Sequence, residues 1–84
     1  MVMTLHDTIE MMESPDWRER FKAEYYQLKI RYEKLHDMIC KWEDGKLDIT
    51  PSNTLEIHKQ QRKAMRQYLL LLKVRAENEG IELK

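Results

Sequence analysis

The chain has 84 residues, which bounds it to one domain with a small core, since a chain of this length buries only about 60–65% of its unfolded surface. Its 15 basic and 15 acidic residues give a formal net charge of +0; that balance argues against general binding to polymeric nucleic acid or an anionic membrane, yet leaves room for a small anion in a local basic pocket. One cysteine, Cys40, excludes an intrachain disulfide and favours a reducing compartment, no apolar run approaches the ~20 residues of a membrane span, and the first residues lack the basic-then-apolar plan of a signal peptide. The expectation is a soluble, cytosolic, all-α protein.

Residues 1–13 hold Leu5, Ile9 and Met12 at spacings of 4 and 3, with Asp7, Glu10 and Glu13 making the segment acidic. A helix under three turns is marginal alone. The segment is therefore either a frayed terminus or an arm that docks on an apolar patch of its own or a neighbouring subunit.

The first long helix is expected over 15–44. Ser14 is a good N-cap, and Pro15 suits the first helical position, where its missing N–H costs nothing. Apolar residues recur at Trp17, Phe21, Tyr25, Leu28, Tyr32, Leu35, Ile39 and Trp42, a single stripe of helical period. Gly45 ends the helix. The link 45–50 contains Leu47 and Ile49, which can tuck under the hairpin end.

The second long helix is expected over 51–79, with Thr50 and Pro51 repeating the cap-then-proline device and Ser52 or Asn53 as alternative caps. Its main stripe reads Leu55, His58, Gln61, Met65, Tyr68, Leu72 and Arg75 or Ala76. Gly80 supplies a left-handed stop, and Ile81 can fold back in a Schellman motif, leaving 80–84 as a tail. A short link predicts an antiparallel αα-hairpin.

The four leucines 69–72 and Val74 point all round the second helix, and Tyr26 and Ile30 lie opposite the main stripe of the first. A helix apolar all round is buried all round. One partner helix cannot do that, so the chain is expected to form a homo-oligomer.

Signals for catalysis are weak. There is no Gly-rich phosphate loop, HExxH or CxxC, and His6, His36 and His58 lie far apart. His36 and Cys40 share a helix face with Asp37 adjacent, but two ligands do not make a structural zinc site. Neither a metal nor a cofactor is expected, and the chain is not expected to be an enzyme. More informative is the interleaving of aromatic and basic residues on rigid helices. Trp17 either caps the hairpin core or offers a stacking platform for a base. Lys59, Arg62, Lys63 and Arg66 form a basic stripe that is either solvated, paired with a neighbour's acids, or the lining of a phosphate pocket. Lys34, beside Ile30 and Met38, lies near the second apolar face.

The run 17–35 resembles the start of small phage proteins of the crAss-like "related protein" family, whose pattern Trp17, Arg20, Glu24, Leu28, Lys34 and Leu35 fit. In the second half Gln61, Met65, Tyr68, Leu72 and Arg75 are similar to a Gln-x3-Met-x2-Tyr-x3-Leu-x2-Arg signature. The two matches span most of 17–75. Members include sponges with which phages counter CBASS immunity. The resemblance implies helical hairpins assembled as hexamers that sequester cyclic di- and trinucleotide signals and perform no chemistry on them. It further implies an aromatic residue near the start of the first helix stacking on a base, with basic residues of neighbouring subunits holding phosphates. Trp17 stands at the aromatic position, where members commonly carry Tyr, and Lys34 is the candidate helix-1 base. Arg20, Arg62, Arg66, Tyr68 and Arg75 complete the expected ligand-binding set.

The expectation is thus a phage anti-defence protein of the host bacterial cytoplasm that holds cyclic di- or trinucleotides as a homo-oligomer, hexamer favoured. The competing reading is a helical adaptor or inhibitor that binds a protein through Leu70, Leu71, Val74 and Tyr26.

Overall fold

A computed structural model describes residues 3–83. In chain order it contains a 3-10 turn (His6–Thr8), α1 (Ile9–Met12), α2 (Trp17–Glu43) and α3 (Leu55–Glu79). Among the described residues there is no strand. The two long helices pack antiparallel, as expected: Glu24 of α2 meets Tyr68 of α3, whereas His36, further along α2, meets Arg62, further back along α3. The longest dimension is 43 Å, close to the roughly 40 Å that the rise per residue gives α2.

Both long helices begin later than expected. α2 starts at Trp17, not Pro15, because Asp16 takes the N-cap: its backbone is extended and its carboxylate accepts from the Arg18 N–H at 3.0 Å. Ser14 instead shapes the turn before it, its Oγ accepting from the Asp16 N–H at 3.1 Å. An ionised cap also favours the positive end of the helix dipole. α3 starts at Leu55, not Pro51. Thr54 is its cap and its Oγ1 accepts from the Ile57 N–H at 3.2 Å, so Thr50, Pro51, Ser52 and Asn53 belong to a longer link.

The helix ends follow the glycines. Gly80 has φ 69, the Ile81 N–H reaches the Ala76 carbonyl at 2.8 Å and the Gly80 N–H reaches that of Glu77 at 3.3 Å. That is the Schellman pair of bonds, and it turns Ile81 into the core. Gly45, φ 70, does the same for α2, with Lys46 N–H to the Lys41 carbonyl at 2.8 Å.

The core joins Phe21 and Tyr25 of α2 to Leu69, Leu72 and Ala76 of α3, with Ile81 closing one end. The α2 stripe is the expected one except at Trp17, which is 42% exposed. The α3 stripe is turned from the expected line. The inward residues are Leu55, His58, Arg62, Met65, Leu69, Leu72 and Ala76, while Gln61 and Tyr68 face out. Both lines have a helical period. The one that wins puts Leu69 inside in place of a phenol, and Arg62 can lie on it because its stem is apolar and its guanidinium reaches the edge. The leucine run therefore divides: Leu69 and Leu72 point inward, while Leu70, Leu71 and Val74 are more than half exposed.

The N-terminal segment docks on α2 of its own chain. Thr4 and Asp7 form a reciprocal capping box, Thr4 N–H to Asp7 Oδ2 at 2.8 Å and Asp7 N–H to Thr4 Oγ1 at 3.3 Å. These bonds from Thr4 hold the Asp7 carboxyl below its ordinary value. A 3-10 turn advances three residues per turn, so the inward residues are Leu5, Thr8 and Met11, and the expected Ile9 and Met12 are exposed. Thr8 is fully buried. Gln27 Nε2 donates to Thr8 Oγ1 at 2.8 Å and to Met12 Sδ at 2.7 Å. The side of α2 facing away from α3 is thus covered in part by the arm. Among the described residues no helix is long and apolar enough to cross a membrane.

Candidate functional site

Where α2 and α3 run side by side toward the link, their edges enclose a cleft of about 390 Å³ lined by Tyr32, His36, Lys59, Arg62, Lys63 and Arg66. One wall is aromatic. Tyr32 and His36, four apart on α2, stack with centroids 6.1 Å apart and planes 16° from parallel. The other wall is the basic stripe of α3, whose four cations fall at helical spacing along one edge.

Polar contacts tie the two walls together. Arg62 Nη1 lies 3.2 Å from His36 Nδ1, and His36 Nε2 lies 3.6 Å from Cys40 Sγ. A guanidinium only donates, so Nδ1 faces a donor, and both ring nitrogens of His36 are engaged. This contact aims Arg62 across the mouth of the cleft. Lys59 is held at the lip by Glu43, Nζ to Oε2 at 2.8 Å, and this hydrogen bond and charge hold the Glu43 carboxyl below its ordinary range. Among the described residues no carboxylate pairs with Lys63 or Arg66. Within the described chain those two charges are left uncompensated, Lys63 at the rim of the cleft and Arg66 inside its lining.

Beneath Lys59, His58 tilts against Trp42 with ring centroids 5.7 Å apart. Both its ring nitrogens are buried and without a hydrogen-bond partner. His36 and Cys40 are hydrogen-bonded to each other, and among the described residues no three His, Cys, Asp or Glu side chains gather as a metal site.

Six of the seven residues expected from the sequence fall in two places, and Lys34 in neither. Arg62 and Arg66 line the cleft, with Lys59 and Lys63 of the same stripe. Trp17, Arg20, Tyr68 and Arg75 lie toward the open end of the hairpin, and each is engaged there. The Arg18 guanidinium lies 5.0 Å over the Trp17 ring. Arg20 Nη1 donates to the Ser14 carbonyl at 2.7 Å. The Tyr68 hydroxyl donates to Glu24, which raises its pKa above the ordinary phenol value. The Arg75 guanidinium lies 4.9 Å over Phe21. Lys34 is exposed on α2 and lies outside the cleft lining, since two residues turn the helix roughly 200° from Tyr32. Tyr32 and His36 were not expected in the site. Their signal is that Tyr32 belongs to the α2 stripe and His36 stands four residues on at its exposed edge, opposite the basic stripe once the helices run antiparallel.

A family model described as Sequestin matches residues 15–78. No curated protein and no solved structure matches the chain. The matched region runs from the turn before α2 almost to the end of α3, so it includes every residue that lines the cleft.

Proposed function

The chain belongs to the Sequestin family, and on that premise we propose that it sequesters a small anionic nucleotide signal without transforming it. The family description fits a protein that sequesters. The observation that carries the ligand class is the cleft: four cations against two stacked aromatic rings, in a chain whose net charge is +0. Cations answer the phosphodiester, and an aromatic face answers the base, with stacking of the order of 1–3 kcal/mol per base. Rigid helices hold both walls in place, so little ordering entropy is lost on binding.

The finer reading is that the signal is a cyclic di- or trinucleotide and that its removal blocks CBASS-type immunity in the cytoplasm of a phage-infected bacterium. A cleft of about 390 Å³ lies at the small end of ligand sites, which span roughly 300–1,000 Å³. A ligand with two or three nucleotides extends beyond it onto a neighbouring copy, which supports a homo-oligomer, hexamer favoured, with shared pockets. Binding without chemistry is supported by His36, whose two nitrogens are engaged by Arg62 and Cys40.

Titration calorimetry against cyclic di- and trinucleotides tests the reading. Saturable binding that weakens with salt supports it, and no heat across the panel overturns it. A second reading, a helical adaptor for another protein, is favoured by the exposure of Leu70, Leu71 and Val74; a stable monomer that ignores nucleotides would select it.

A further inference from the structure

The outer face of α3 carries an order that neither the hairpin core nor the cleft uses. Ile57, Gln60, Ala64, Gln67, Leu71 and Val74 follow one another at spacings of 3, 4, 3, 4 and 3, and all six are exposed. That is the alternation of a coiled-coil seam, with no charged residue on its central line. The Leu, Val and Ile side chains there are about half to three-fifths exposed, and Ala64 at mid-length lets another helix approach closely. We propose that this face is a seam between two copies of the chain, packed antiparallel about a two-fold axis beside Leu70.

Charge selects the occupant and the register. On the flank of the seam toward the cleft stand Glu56, Lys63, Leu70 and Glu77, seven residues apart. With the axis beside Leu70, Leu70 meets Leu70 of the second copy and Lys63 meets its Glu77, twice by symmetry. The central layers then pair Leu71 with the aliphatic stem of Gln67, and Val74 with the small Ala64. Sliding by one heptad loses both Lys63–Glu77 pairs: one way sets Glu56 against Glu77, a like-charge contact, and the other sets Glu77 against the apolar Leu70. A parallel pair sets Lys63 beside Tyr68 and Leu70 beside Arg75, with no opposite charges to meet. The two-fold arrangement is isologous and closes on itself, so a second copy fits this face with no other partner required.

The seam rests on the α3 surface alone and stands or falls apart from the nucleotide reading. It does place the second copy at the rim of the cleft, since Lys63 lies on both.

Sedimentation of the full chain with three variants tests it. The unaltered chain is expected to contain a dimeric unit at micromolar concentration, and Leu71→Lys is expected to reduce it to monomer with its helical circular dichroism unchanged. Glu77→Lys is expected to raise the dissociation constant several-fold, and Lys63→Glu combined with Glu77→Lys to restore it. A monomeric unaltered chain, an undisturbed Leu71→Lys assembly, or a double variant no better than Glu77→Lys alone would overturn the seam.

Discussion

Each cation of the cleft has a distinct setting, and the settings separate their roles. Arg66 has no carboxylate partner among the described residues, so its removal breaks no ion pair of the chain and, on the proposed reading, takes one charge-assisted contact from the ligand. Arg66→Ala is expected to weaken nucleotide binding roughly tenfold or more, taking about 1.5–3 kcal/mol for a hydrogen bond to a charged group, with an unchanged thermal transition. Lys59 is the opposite case, because Glu43 holds it at 2.8 Å. Glu43→Gln releases it and removes a negative charge from the rim, so binding is expected to tighten; calorimetry on the two variants checks both signs. Tyr68 gives a pH prediction. Its hydrogen bond to Glu24 raises its pKa above 10.0. The stability it contributes is therefore fully present below the unfolded phenol value and is lost as pH rises through the folded one. Ultraviolet titration is expected to show a phenol ionising late, and Glu24→Gln is expected to bring it back toward the ordinary value.

At the scale of elements, caps and core determine whether the hairpin holds. Thr54→Ala removes the bond to the Ile57 N–H and is expected to cost about 1 kcal/mol in urea unfolding. Leu72→Ala, at a fully buried site, is expected to cost about 2–5 kcal/mol, a large share of the roughly 5–15 kcal/mol available to a domain. The long helices, their antiparallel pairing, the α2 stripe and both glycine stops were legible in the sequence, because period and stop signals are local. The helix starts were legible only to within a turn, since Ser14 and Asp16, like Thr50 and Thr54, are all competent caps and the backbone chooses between them. The α3 stripe was misread at Gln61 and Tyr68 because two lines of equal period run down that helix, and packing against α2 decides which is buried. The cleft was half legible: the basic stripe stands in one stretch of sequence, whereas Tyr32 and His36 join it only when the second helix is laid alongside.

The whole molecule carries two unlike surfaces on one hairpin, adjoining at Lys63. One edge gathers four cations against an aromatic wall, and the outer face of α3 leaves Leu70, Leu71 and Val74 in water. A chain with no net charge concentrates its basic groups locally, which suits a small anion better than a polymer. On the proposed reading, assembly through the apolar face and capture in the cleft would be one function, with several equivalent pockets per particle. The most direct measurement of this account is native mass spectrometry of the full chain with and without a mixed pool of cyclic di- and trinucleotides. The account predicts an oligomer that gains the mass of intact cyclic nucleotides and releases them unchanged on denaturation. An oligomer or monomer that gains no mass from any member of the pool would contradict it.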